Sequence, residues 1–169
     1  MNKGIDVIIE ISMNSVPVKY EFDQESQRMR VDRFLTSAMR YPVNYGFIPG
    51  TLSGDGDSLD AMVYCTHSIK MNSVICVKPI GVLITKDEGG LDHKILTVPT
   101  DAVDCFFRSI NCYKQLPKSV INIITHFFQR YKDLDAKKWI EVDSWQSADQ
   151  ANDIISNARM QYTKQKKKV

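Results

Sequence analysis

Three carboxylates fall within six residues at Asp55-Gly56-Asp57-Ser58-Leu59-Asp60, directly ahead of the apolar run Ala61-Met62-Val63-Tyr64-Cys65. This stretch limits what the chain can fold into. Unpaired anions that close repel one another and raise each other's pKa, so a fold that crowds them needs a compensating cation. Oxygen ligands of this kind suit a hard divalent ion such as Mg²⁺ or Mn²⁺ better than Zn²⁺. A calcium-binding EF-hand loop begun at Asp55 fails: Leu59 would be a ligand, Asp60 the required glycine and Thr66 the closing glutamate. The plain reading is an acidic turn before a strand, where Asp and Gly are favoured for their backbone chemistry alone.

The rest of the chain bounds the fold. Its 169 residues, 43% hydrophobic and 25% charged, suit one globular domain with a sizeable core. No apolar run is long enough to span a membrane, and the first residues lack the apolar core of a secretory signal, so a cytoplasmic protein is expected. Four cysteines without CxxC spacing read as buried free thiols. Net charge is +2, but four lysines sit in the tail 164–169, so the body of the chain is acidic. That tail reads as a frayed, solvated terminus.

Short alternating or β-branched runs predict strands at Asp6–Ile11, Val18–Phe22, Met29–Phe34, Ala61–Cys65, Val74–Thr85 and Lys94–Val98. The last two form a hairpin connected by 86–93. After Pro117, the residues Val120, Ile123, Ile124, Phe127, Phe128 and Tyr131 keep the spacing of one buried helical face. A strand is expected at Lys138–Val142. A second helix is capped by Ser147 and Gln150 and striped by Ala151, Ile154, Ile155 and Ala158. The outline is an α+β domain: a small antiparallel β-barrel with flanking C-terminal helices.

A second acidic group, Asp87-Glu88 and Asp92, lies in the connection after the long strand. If that strand pairs near Ala61–Cys65, the acids Asp55, Asp57, Asp60, Asp87 and Asp92 meet at one end of the barrel. Lys19, Arg33, Tyr41, Tyr45, Lys94, Tyr131 and Lys132 flank them in sequence. Singly, each has an ordinary structural explanation. Together they suit a polyanion: Arg offers a planar fork for phosphate oxygens and Lys a point charge, and carboxylates joined to Mg²⁺ can activate water. A nucleic-acid-binding barrel would concentrate basic and aromatic residues on its binding face, whereas the concentrated charge here is acidic.

These residues resemble soluble family I inorganic pyrophosphatase of the bacterial type. The family's Asp-x-Asp-Pro-x-Asp appears as Asp55 to Asp60, with Ser58 in place of the usual Pro. Further matches are Ile9-Glu10-Ile11, Pro17 to Glu21, Val31-Asp32-Arg33-Phe34, Tyr41 to Gly46, Asp87 to Lys94 and His126 to Lys132. The resemblance implies a five-stranded OB-like barrel in a single domain over 1–169. It also implies Mg²⁺-dependent hydrolysis of pyrophosphate to two phosphates, with several ions per site and Mn²⁺ or another divalent ion able to substitute, and a homohexamer. Carried over by position, Asp55, Asp60 and Asp92 would hold the first Mg²⁺, and Asp60 would share a second. A metal-bridged water would give its proton to Asp57. Asp87 and Asp92 would hold a metal arriving with substrate, and Glu21 another. Lys19, Arg33, Tyr45, Lys94, Tyr131 and Lys132 would bind the phosphates, with Glu10, Tyr41 and Glu88 in support. Proline at position 58 would fix its own φ and restrict Asp57, so serine there predicts a less preorganised loop.

Overall fold

The computed structural model describes residues 4–167. Strands β1 (Ile5–Ile11), β2 (Val18–Asp23), β3 (Arg28–Phe34), β4 (Asn44–Phe47), β5 (Asp60–Val63), β6 (Val74–Asp87), β7 (Gly90–Leu91) and β8 (Lys94–Pro99) precede helix α1 (Lys118–Arg130); strand β9 (Ile140–Gln146) and helix α2 (Ala148–Lys166) follow it. Two short 3₁₀ turns, Cys105–Phe107 and Tyr113–Gln115, cross between β8 and α1. The helix α2 continues into the lysine-rich stretch expected to fray; Lys168 and Val169 lie outside the described residues.

The main sheet runs β1-β4-β5-β8-β6, and the further pairing of β1 with β6 closes it into a ring of five strands. This is the expected barrel, with one ladder corrected. Four of its pairings are antiparallel, but β5 runs parallel to β8. The reason is arithmetic: strand directions cannot alternate all the way round a ring with an odd number of members, so one ladder must be parallel.

The 14-residue β6 holds the ring together. Its first half pairs with β1, its middle with β8 and its end with β9 and β7. The register slips between Pro79 and Gly81, where proline could not donate to a regular ladder, and such a bulge bends a strand as closure requires. Val7, Ile9, Met62, Val82, Leu83, Ile95, Leu96 and Val98, all on ring strands, are fully buried, some inside the ring and some under the elements packed on it. β2 and β3 form a separate two-stranded hairpin. It is pinned to the ring by Phe22, which stacks on Phe47 with ring centroids 5.7 Å apart.

Several local expectations shift. β4 is wholly buried and had no sequence signal as a strand. A side chain at Gly46 would place Cβ 1.8 Å from the Ile8 carbonyl oxygen, so only glycine permits the β1–β4 approach. On α1 the buried face is Ile124, Phe127 and Phe128, while Ile123, off the line joining these residues, is exposed. β9 begins later than expected, at Ile140, and runs on to Gln146. Its Trp145 stacks on Tyr113 and donates to the Thr125 hydroxyl at 2.9 Å, which holds it in the sheet. The cysteines are free, but only Cys65 is buried; Cys105 is exposed because its 3₁₀ turn buries Phe107 instead.

Candidate active site

The two acidic groups meet because of the parallel ladder. Asp60 and Lys94 are register partners at the first positions of β5 and β8, so the residues preceding both strands emerge at the same end of the ring. Gly89 shows how near the groups come: a Cβ built there would lie 3.7 Å from the Asp55 Cβ and 3.3 Å from Asp87 Oδ1. There the ring opens into a cavity of about 460 Å³. All fifteen residues singled out from the sequence line it: Glu10, Lys19, Glu21, Arg33, Tyr41, Tyr45, Asp55, Asp57, Asp60, Asp87, Glu88, Asp92, Lys94, Tyr131 and Lys132.

The loop carrying Asp55 and Asp57 is shaped by its own hydrogen bonds. The Asp57 amide donates to Asp55 Oδ1 at 3.0 Å, and the Ser53 amide donates to the Asp57 carbonyl at 2.7 Å. Gly56 takes φ +94, a conformation that glycine adopts readily. Downstream, buried Leu59 anchors the loop. Its amide donates to Thr51 Oγ1 at 2.9 Å, and its carbonyl accepts from the Ile48 amide at 2.9 Å. Asp55 and Asp57 therefore project from an exposed but braced turn.

Behind that turn lies a buried cation. Lys94 is 2% exposed, and its ammonium donates to Asp60 Oδ2 at 2.6 Å and to Asp92 Oδ2 at 2.7 Å. It also stands over the Tyr45 and Phe128 rings, 5.7 and 5.6 Å from their centroids. Burial alone would discharge this lysine, but the two carboxylates hold its pKa well above normal. The acids respond unequally. Burial pushes Asp60 up, yet the Lys94 charge with hydrogen bonds from Lys94 and the Tyr45 hydroxyl brings it below the usual range. Asp92, lacking the tyrosine and facing the charges of Asp60 and Asp87, is pushed up, first by burial. Asp57 is also raised, by burial and then by the charges of Asp55, Glu21 and Asp60. Buried Glu10, which accepts from the Phe22 amide at 2.7 Å, is pushed up to about 8, chiefly by burial.

The opposite walls are basic and phenolic. Lys132, at the end of α1, donates to Asp87 at 2.9 Å and more weakly to Glu88 at 3.4 Å. Lys138 joins Glu88 at 3.0 Å. Glu88 falls to about 2: the effect of burial is overcome by its own backbone, Lys138, the Trp139 amide and Lys132. Lys19 and Arg33, register partners on β2 and β3, share Asp32 at 3.2 and 2.6 Å, and Lys19 also contacts Glu21. The phenols of Tyr41, Tyr45 and Tyr131 are raised above their normal range, first by burial, so they remain hydrogen-bond donors at neutral pH.

The donor set suits a divalent cation. Among the described residues neither Asp55 nor Asp57 pairs with a Lys or Arg. Asp60 and Asp92 spend only Oδ2 on Lys94, leaving Oδ1 of each unengaged by any side chain. These are hard oxygen donors on one wall. No three acidic, His or Cys groups among the described residues stand close enough to form a ready-made cage. The lysines occupy part of the anionic field instead.

Other lining residues carried no sequence signal. Asp32, outside the lining itself, pairs with Lys19 and Arg33 behind the wall. Tyr162 and Gln165 reach the cavity from α2, and Gln24 from the hairpin tip. Only folding brings residues so distant in sequence to the rim.

Comparisons with known proteins agree with one another. The profile of the family described as inorganic pyrophosphatase matches residues 7–163. An inorganic pyrophosphatase from Rickettsia typhi is 50% identical over 154 residues, covering 91% of this chain and 86% of that protein. One from Xylella fastidiosa is 45% identical, covering 94% and 89%. Among solved structures, one described as an inorganic phosphatase from Anaplasma phagocytophilum superposes with a TM-score of 0.93 at 44% identity, over 96% of this chain and 95% of that one. An inorganic pyrophosphatase from Helicobacter pylori gives 0.92 at 38%, over 95% and 94%.

Proposed function

Given that this chain belongs to the inorganic pyrophosphatase family, an enzyme family of pyrophosphate hydrolases, we propose that it uses Mg²⁺ and that Asp57 accepts the proton of the attacking water. The observation that carries this reading is the pairing of charges across one cavity. Carboxylates without internal cations, Asp55 and Asp57, face the lysines and arginine that a diphosphate would meet.

Asp55, Asp60 and Asp92 would hold one ion, Asp60 would share a second, and Asp87 with Asp92 and Glu21 would hold those that accompany substrate; Mn²⁺ would substitute by the same oxygen chemistry. Bound Mg²⁺ supplies Lewis acidity, lowering the pKa of water and screening phosphoryl oxygens. The protein's own groups supply the rest. Water gives its proton to Asp57 as its oxygen bonds to one phosphorus; the bridging P–O bond breaks and the second phosphate leaves. A base raised by burial and then by neighbouring anions is better matched to neutral pH than an ordinary aspartate. Lys19, Arg33, Lys94 and Lys132 stabilise the charge on both phosphates, and the neutral phenols of Tyr45 and Tyr131 add uncharged donors. Glu10, Tyr41 and Glu88 hold these groups in place through packing and ion pairs.

Phosphate release from pyrophosphate with and without Mg²⁺, for wild type and Asp57→Asn, tests this reading. Turnover by the wild type only with Mg²⁺, and its near loss in Asp57→Asn, is the expected result; a wild type without Mg²⁺-dependent turnover refutes it. We also propose a homohexamer in the cytoplasm, by likeness to bacterial members. Large exposed apolar residues such as Phe34, Phe106 and Leu134 are available to subunit contacts. Sedimentation giving a monomer at micromolar concentration would count against assembly. No helix among the described residues is long and apolar enough to cross a membrane.

A further inference from the structure

Ser58 stands beside the proposed proton acceptor, Asp57, on the cavity lining. Its hydroxyl accepts a hydrogen bond from Gln24 Nε2 at 2.9 Å, joining positions 34 residues apart. Gln24 belongs to the tip of the β2–β3 hairpin, which has no ladder to the ring. Among the described residues this is the one hydrogen bond between that hairpin and the segment from Asp55 to Asp60.

The tip is built to present Gln24. The Asp23 carboxylate accepts from the amides of Glu25 and Ser26 at 3.0 and 3.1 Å. Gln27, at φ +54, donates from its side chain to the Gln24 carbonyl at 2.6 Å. On the other side, Asp57 is held through its own amide and carbonyl, and Leu59 is anchored to Thr51 and Ile48. Ser58 is the link between these anchors, and its side-chain bond crosses the cavity mouth to the hairpin that carries Lys19, Glu21 and Arg33.

We propose that the Gln24–Ser58 bond is a strap that positions Asp57 relative to the Lys19–Arg33 wall. Serine gives up the local stiffness of a proline ring at this position. The strap restores restraint from across the cavity and ties the spacing of the two walls to the aim of Asp57. Gln24 and Ser58 are positioning residues, and this role rests on the enzymatic reading above.

A double-mutant cycle separates the strap from general loop damage. Phosphate release at saturating Mg²⁺ is measured for Gln24→Ala, Ser58→Ala, the double variant and Ser58→Thr, beside amide hydrogen exchange of the metal-free proteins. One hydrogen bond corresponds to a change of about three- to tenfold. Each single alanine variant is expected to lower kcat by that factor with KM changed less, and the double variant to be no worse than either single. Ser58→Thr, which keeps the hydroxyl, retains most of the wild-type rate. In the metal-free protein, exchange at Gly56, Asp57, Glu25 and Ser26 accelerates equally in both single variants. Multiplicative kcat losses, or Ser58→Thr as impaired as Ser58→Ala, or exchange altered on only one side of the cavity, overturns the strap. The exchange readout tests it even if wild type fails to turn over pyrophosphate, a failure that would refute the enzymatic reading alone.

Discussion

The two acidic groups of the cavity each hold three carboxylates and meet different fates. Asp87, Glu88 and Asp92 are each met by a lysine: Lys132 at Asp87, Lys138 and Lys132 at Glu88, Lys94 at Asp92. Asp55 and Asp57 have no such partner among the described residues, although Asp55 lies across Gly89 from Asp87. Asp60 stands between the two, paired through one oxygen only. In the free chain lysines therefore offset one acidic group, while Asp55 and Asp57 of the other stay open.

The largest expected effect tests that division directly. Asp57→Asn should lower the rate of phosphate release by about 10²- to 10⁴-fold, the range for losing a positioned base. Glu88→Gln, in the neutralised group, should cost about tenfold or less. Equal losses in the two would erase the distinction.

Next in size is the buried cation. Lys94→Met leaves Asp60 and Asp92 facing each other without compensation, and breaking a buried pair in this way costs about 3–5 kcal/mol. Urea unfolding of the metal-free protein measures it. Lys132→Met should cost less, because Lys132 reaches Glu88 only at 3.4 Å and Glu88 keeps Lys138 as a partner.

Metal addition sharpens the comparison from the other side. Mg²⁺ at a hundredfold excess over its dissociation constant should stabilise the wild type by about 2.7 kcal/mol, because it binds the folded chain. Asp55→Asn should lose most of that gain, read as a smaller rise in Tm when EDTA is replaced by Mg²⁺.

The smallest effect is in pH dependence. Glu10 is raised to about 8 in the folded chain from an ordinary value of 4.5, so folding takes up a proton between those values. Its contribution is fully present below pH 4.5 and fades as pH rises through about 8. Glu10→Gln stays neutral, so its stability should fall less steeply over that window, by about 1–2 kcal/mol. An unchanged slope would show that Glu10 ionises freely in the fold.

Much of this architecture was legible in the sequence, and what was hidden has definite causes. The strands with clear alternation, the β6–β8 hairpin and both helices were readable because periodicity is local. β4 was not: Asn44-Tyr45-Gly46-Phe47 has no alternating face, since every residue of it is buried, and a glycine serves the close approach to β1. The parallel ladder was hidden until the strands could be counted around a closed ring. In the site, residue types predicted membership well, because crowded carboxylates and phosphate-binding cations are chemically distinctive. They did not predict pairing. That Lys94 pairs with both Asp60 and Asp92 in the free chain emerges only from the fold. Gln24, Tyr162 and Gln165 are ordinary surface types whose place at the rim comes from tertiary structure alone.

The parallel pairing of β5 with β8 also governs the order in which the molecule can be made. Asp60 and Lys94 face each other in register but are synthesised 34 residues apart, and the ring closes only when β6, lying between them in the chain, has joined β1. A chain emerging from the ribosome carries the hexapeptide acids well before the lysine that neutralises Asp60. Contacts this distant in sequence carry loop-closure entropy and slow folding. The cavity draws its groups from Glu10 to Gln165, so no fragment ending before α2 can contain it whole.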